Sequence, residues 1–272
     1  MTVALLAALF GLLIGSFLNV CIYRMPRDLS VVAPRSFCPE CNQTIAWFDN
    51  IPLLSYVILA GRCRRCGHRI SARYAVVELL TGILFFCAFW FLGTTLAAAK
   101  FAVYGAILIA LIFSDLEERI LPDEFTLGGA ALGVIFAAFV PVSGGILLLI
   151  FYGSKNQWLV SVCDSLMAAA ICSGAMWAVR GLYEKVRHRE GLGLGDVKMG
   201  ALIGAFLGVQ GALLTLLVGS LLGVVVGLSY TWFTGKDAST YELPFGTFLG
   251  VSALGVGFFS EVIFNWYNRL GA

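Results

Sequence analysis

Eight stretches of this chain are apolar over most of a bilayer's thickness, and a chain with that many cannot fold around one water-surrounded core. They run approximately over 3–23, 74–93, 96–114, 125–142, 161–181, 196–209, 211–232 and 243–265. A membrane-spanning helix needs roughly 20 mostly apolar residues, and the sixth stretch falls short of that and opens on charge. Charged residues make up 12% of the chain, against about 25% in a soluble domain. The mean hydropathy is +0.90. The first stretch starts at Met1 without a basic leader or a small-residue cleavage site, so it reads as a span and not a signal peptide. The expected fold is an all-α polytopic membrane protein of about eight transmembrane helices.

Lysine and arginine set the expected orientation, because short cytoplasmic loops are enriched in them. Eight arginines fall in 24–73: Arg24, Arg27, Arg35, Arg62, Arg64, Arg65, Arg69 and Arg73. Threading eight spans from a cytoplasmic 24–73 puts Arg119, Arg180, Lys185, Arg187, Arg189, Lys198 and Lys236 on the same side. Only Lys100, Lys155 and Arg269 fall outside, and both termini are external. The apolar piece Ile146–Gly153 is too short to span, and an extra crossing there would invert the basic 180–198 cluster. It reads as re-entrant or surface-lying. A net charge of +2 is too small to suggest nucleic acid as a partner.

The segment 24–73 holds Cys38-Pro-Glu-Cys41 and, 21 residues on, Cys63-Arg-Arg-Cys66. Two such pairs aim four thiolates at one metal, the ligand set of a structural zinc site with no open position for water. Two disulfides are the alternative, and a reducing cytoplasm disfavours them. A loop of this size has little core of its own, so one zinc per chain would supply much of its folding energy. Cys21, Cys87, Cys163 and Cys172 lie in or beside apolar spans and read as packing residues.

Two acids stand out at span boundaries. Asp115 closes the third span, and Asp196, in Gly193-Leu-Gly-Asp196, opens the sixth, both on the expected cytoplasmic side. Two carboxylates sharing a proton can activate water and protonate a leaving amine, as in aspartic proteases. Each has a bland reading: an interfacial acid, or a charge at a helix start. Asp123, after Pro122, reads as first-turn charge of the fourth span. Asp164 lies toward the outer end of the fifth. Glu78, one turn inside the second span, either pairs with an arginine such as Arg73 or reaches a polar cavity.

These pieces occur in the order found in the bacterial type IV prepilin peptidases, which the chain resembles over nearly its whole length. The resemblance rests on Gly15-Ser-Phe-Leu-Asn-Val-Cys-Ile-Tyr-Arg-Met-Pro26, the cysteine pairs with Asn50-Ile-Pro-Leu-Leu-Ser-Tyr56, and Ser71-Ala-Arg-Tyr-Ala-Val-Val-Glu-Leu-Leu-Thr81. It continues through Asp115-Leu-Glu-Glu-Arg-Ile-Leu-Pro-Asp-Glu-Phe-Thr126, Gly193-Leu-Gly-Asp-Val-Lys198 and Leu243-Pro-Phe-Gly-Thr-Phe-Leu249. It implies that Asp115 and Asp196 are the catalytic pair of a bacterial inner-membrane endopeptidase. The substrates it implies are type IV prepilins or type II secretion pseudopilins, cut after a glycine at the junction of a basic leader and an apolar helix. It further implies N-methylation of the new N-terminus from S-adenosylmethionine, for which the sequence shows no soluble methyltransferase fold.

The expected organisation is a first span over 1–23, a zinc-binding region over 24–73 and a peptidase domain over 74–272. The rival readings are a transporter relaying protons through paired acids and a non-enzymatic anchor for a zinc module. Both acids sit at one surface, which disfavours the first. The second leaves the aspartates unused.

Overall fold

A computed structural model describes residues 1–142, 145–151, 156–188, 191–234 and 244–270. Among them the long elements are all helical. α1 is Thr2–Arg24, α2 Leu54–Ile58, α3 Ala72–Leu92, α4 Leu96–Glu118, α5 Asp123–Ala137, α6 Ile146–Ile150, α7 Gln157–Arg187, α8 Leu194–Thr234 and α9 Phe245–Leu270. Of these, α1, α3, α4, α7 and α8 have the length and apolarity to cross a membrane, and α9 offers a shorter apolar run, Phe245–Phe259.

The expected sixth and seventh spans are the two helical halves of α8, which meet at Gly208, whose φ of 72° lies outside helical space. Glycine adopts that conformation without a Cβ penalty. Beside the break the Ser165 hydroxyl donates to the Ala205 carbonyl at 2.8 Å, the kind of side-chain bond that re-satisfies backbone inside a bilayer. The expected fourth span is shorter than its apolar stretch, because α5 ends at Ala137. Ile146–Gly153 contains the five-residue α6. Of the cations used for orientation, Lys155, Arg189 and Lys236 lie outside the described residues.

The chain forms two compact units, Met1–Ala110 and Leu111–Ala272. In the first, α1 packs along α3. Gly11 and Gly15, four residues apart, present bare backbone to α3: a Cβ on Gly15 would lie 2.7 Å from the Glu78 Cα, and one on Gly11 2.8 Å from the Phe85 Cβ. Small residues at this spacing let membrane helices approach closely. Leu5, Leu9, Leu13 and Phe17, on another face of α1, are exposed. Such a stripe suits lipid and would be a liability in water. In the second unit α8 packs against α5, α7 and α9. Gly133 of α5 meets Phe206 and Ala205, and Gly204 of α8 meets the Ala168 carbonyl of α7.

Candidate active site and metal centre

The acidic site is built where three helices start or stop. α4 ends one turn beyond Asp115: the Arg119 N–H reaches the Asp115 carbonyl at 3.0 Å, and Arg119 turns the chain with a φ of 54°. The Ser114 hydroxyl then donates to the Ile120 carbonyl at 2.7 Å, securing the turn into α5. Leu121 follows, buried, and Pro122 precedes the first turn of α5 with Asp123 and Glu124 in it. Asp123 is therefore the first-turn charge expected of it.

Asp115 is 5% exposed and Asp196 9%. Although Asp115 belongs to the last turns of α4, its carboxylate faces the start of α9. Its Oδ2 accepts from the Thr247 N–H at 2.6 Å and from the Thr247 hydroxyl at 2.8 Å. First-turn N–H groups have no partner within their own helix and are natural donors to an anion. Asp196 sits in the first turn of α8, and its Oδ2 accepts from the Gly193 N–H at 3.2 Å. Each aspartate thus has one oxygen anchored by protein donors. The two carboxylates lie close enough for the charge of Asp115 to act on Asp196.

Leu121 is the wedge between these loops. A Cβ on Gly195 would lie 3.1 Å from the Leu121 Cβ, and one on Gly246 3.0 Å from its Cδ1 and 3.1 Å from the Asp115 Cγ. The glycines flanking both acids are therefore explained by close approach. Lys198 does not serve Asp196: its Nζ lies 2.6 and 2.8 Å from the two oxygens of Asp123, tying the start of α8 to the start of α5. Asp164 is buried in α7 and accepts from the Leu147 N–H at 2.8 Å, while Ser161 accepts from the Val142 N–H at 3.2 Å. These bonds hold the ends of the 142–147 segment and explain Asp164 without chemistry. Thr247 was not singled out by residue type. Its only sequence signal is its place within Pro244-Phe-Gly-Thr247 at the start of an apolar helix.

The cysteine cluster belongs to the other unit. The four Sγ atoms of Cys38, Cys41, Cys63 and Cys66 lie within 4.8 Å of one another and can hold a metal ion. Two equivalent knuckles bring them there. In the first, Asn42 N–H reaches Cys38 O at 2.8 Å and Cys38 N–H reaches Gln43 O at 3.0 Å. In the second, Gly67 N–H reaches Cys63 O and Cys63 N–H reaches His68 O, both at 2.9 Å. Asn42 and Gly67 take the left-handed conformation at the same place in each turn. The backbone N–H groups of Cys66 and Arg65 hold the Cys63 thiol down at about 7. A His68 N–H favours the Cys66 thiolate, but burial and the neighbouring sulfurs outweigh it and push that thiol up to about 12. A divalent cation held there would resolve the conflict by taking all four as thiolates.

Several of the arginines in 24–73 are structural. Arg24 is buried and donates to the carbonyls of Ser30 and Pro34 at 2.9 and 2.8 Å. Arg64 forms a bidentate pair with Asp49. Glu78 accepts from the Leu53 N–H at 2.8 Å and lines a cavity beside the cysteines, the second of the two readings open to it.

Two family models match: one described as Bacterial Peptidase A24 N-terminal domain over residues 9–92, the other as Type IV leader peptidase family over residues 102–228. The chain belongs to the type IV leader peptidase family. Proteins named prepilin leader peptidase/N-methyltransferase are similar to it. That of Legionella pneumophila is 34% identical over 288 residues, covering 97% of this chain and 93% of the relative. That of Aeromonas hydrophila is 33% identical, covering 96% and 92%. That of Myxococcus xanthus (strain DK1622) is 40% identical over 232 residues, covering 85% of this chain, which spans 64% of the relative's length. No solved structure matches. Asp115, Asp196 and the four cysteines fall inside the residues matched by the family models, while Thr247 lies beyond them.

Proposed function

We propose that this protein is a membrane aspartyl endopeptidase that removes the leader of type IV prepilins or type II secretion pseudopilins, and then N-methylates the exposed N-terminus. The observation that carries the peptidase half is the juxtaposition of two buried carboxylates, Asp115 and Asp196, each fixed through one oxygen. Fixing one oxygen turns the other toward a shared water. One carboxylate takes a proton as that water attacks the scissile carbonyl. The other delivers a proton to the departing amine, so the dyad ends the cycle with its protons exchanged. Thr247 acts through Asp115 as a positioning residue.

In the bacterial inner membrane, the basic loop 24–73 and both aspartates face the cytoplasm in this reading, where a basic leader would remain. Zinc is the metal that suits a four-cysteine site. S-adenosylmethionine is the donor that suits an N-methyltransferase, and when bound it supplies an electrophilic methyl group. The new N-terminal amine, after losing a proton, forms the N–C bond as the donor's C–S bond breaks onto sulfur.

The test is co-expression with a prepilin carrying its leader, read by intact mass. Wild-type protein should remove the leader and add one methyl group. Asp115→Asn and Asp196→Asn proteins, inserted in the membrane at normal levels, should leave it intact. Leader removal by either variant at the wild-type rate would sink the peptidase assignment.

A further inference from the structure

The cysteine module does more than fold around a metal. Together with the C-terminal part of α1 and the start of α3 it encloses a cavity of about 660 Å³, within the usual 300–1,000 Å³ of small-molecule sites. Cys38 and Cys63 are part of its wall, so the metal site and the cavity share residues. Phe48, Tyr56 and Tyr74 supply aromatic surface, and Glu78 supplies a carboxylate.

One polar atom in this wall is unfinished. Asn19 is 2% exposed, and its side-chain N–H donates to the Tyr74 carbonyl at 2.9 Å. That bond fixes which end of the amide is which, and the Oδ1 acceptor is left buried with no donor. A buried acceptor without a partner is costly and calls for one. Glu78 is also held in place, by the Leu53 N–H and by Ser16. Leu53, the donor, has a φ of 58°, a conformation a leucine rarely adopts.

We propose that this cavity is the binding site of the methyl donor, an adenosyl sulfonium compound, with Asn19 and Glu78 as its polar anchors. The assignment rests on the methyl-transfer half of the function proposed above. The ligand chemistry fits the aromatic and acidic parts of the wall, and Arg65 and Arg69, which also line it, suit the carboxylate that the donor carries. A purine has a planar face for an aromatic surface, and its amino group or a ribose hydroxyl can donate to Asn19 Oδ1 once a small rotation of that side chain opens the atom to the cavity. The donor carries cationic sulfonium and ammonium groups, which a fixed carboxylate and aromatic faces attract. A lipid chain would fill the apolar wall but bring no donor for Asn19. Because the wall includes two of the four cysteines, donor binding should need the metal-loaded module.

The test uses the full-length protein, purified in detergent with its metal, and reads binding instead of turnover. Radiolabelled S-adenosylmethionine should bind at about one per chain. A photoreactive azido-adenosyl analogue should label peptides within residues 16–78, and unlabelled S-adenosylhomocysteine should compete. Glu78→Gln and Asn19→Leu, checked for full metal content, should each weaken binding at least about tenfold. Label confined to residues outside 16–78, or wild-type affinity in Glu78→Gln, overturns the assignment. No binding at all overturns both the assignment and methyl transfer, while leader removal remains an independent readout of the peptidase.

Discussion

Thr247 donates twice to one oxygen of Asp115, through its backbone N–H at 2.6 Å and its hydroxyl at 2.8 Å. The two residues are 132 positions apart in sequence, so the contact depends on tertiary packing that brings the end of α4 to the start of α9. A hydrogen bond to a charged group contributes roughly 1.5–3 kcal/mol. Thr247→Val keeps the shape and the backbone donor but removes the hydroxyl. Leader removal should then slow by about ten- to a hundredfold, with Thr247→Ser near wild type. Single-turnover rates on a purified prepilin would check this, and equal rates for Val and Ser would show that the hydroxyl is idle.

Asp164 is the natural control for the dyad, being as buried as either member. Its Oδ1 accepts a backbone N–H, a bond an asparagine oxygen can also accept. Asp164→Asn should therefore retain leader removal within about twofold, whereas Asp164→Ala, which strands the Leu147 N–H, should lose about 1–3 kcal/mol of stability. The comparison is a cleavage assay beside thermal unfolding in the same detergent. Loss of cleavage in a stable Asp164→Asn protein would bring that residue into the chemistry.

The Lys198–Asp123 pair joins the starts of α5 and α8, the helix that follows the Asp115 turn and the helix that carries Asp196. Both side chains are partly exposed, and such pairs are worth roughly 0.2–1 kcal/mol. Lys198→Met and Asp123→Asn should each have a small effect, and the double variant should be no worse than the weaker single one. A cycle of the four proteins, measured by unfolding, gives the coupling directly. A much larger, cleavage-specific loss in Lys198→Met alone would give Lys198 a role at the acidic site.

What was legible in the sequence was whatever repeats or is rare. The two Cys-x-x-Cys pairs are both, and the structure folds them as two knuckles with matching hydrogen bonds. Charged residues at span ends are rare in so apolar a chain, which is why Asp115 and Asp196 could be singled out before their surroundings were known. Thr247 was invisible by type, because a threonine at a helix start is ordinary and its significance lies in a partner far away in the chain. Lys198 is a related case: it lies two residues from Asp196, but proximity in sequence says nothing about which way a helical side chain points, and its partner is Asp123. Asn19 sits in an apolar run, and only a cavity beside it shows that half of its amide lacks a partner. The break at Gly208 falls within two residues of the boundary expected between the sixth and seventh spans, because a short apolar stretch followed by another leaves only one place for the chain to turn.

Removing the metal should separate the two activities. The cysteines belong to the first unit and help form the donor cavity, while Asp115, Asp196 and Thr247 all belong to the second. Cys38→Ser and Cys63→Ser each leave three ligands and should lose the metal. The 36–70 segment depends on the knuckles for much of its order, so it should become open to proteolysis at the same time. Methyl transfer to a pre-cleaved pilin should fall by at least about tenfold, because the donor site loses a wall. Leader removal by the same proteins should fall less, because both carboxylates and their donors, Thr247 and Gly193, belong to the other unit. Metal analysis, limited proteolysis and the two activity assays on one preparation make the comparison internal. Equal loss of both activities would show that the module supports the acidic site as well, and metal-free protein with its four cysteines oxidised would show that the cluster is a pair of disulfides.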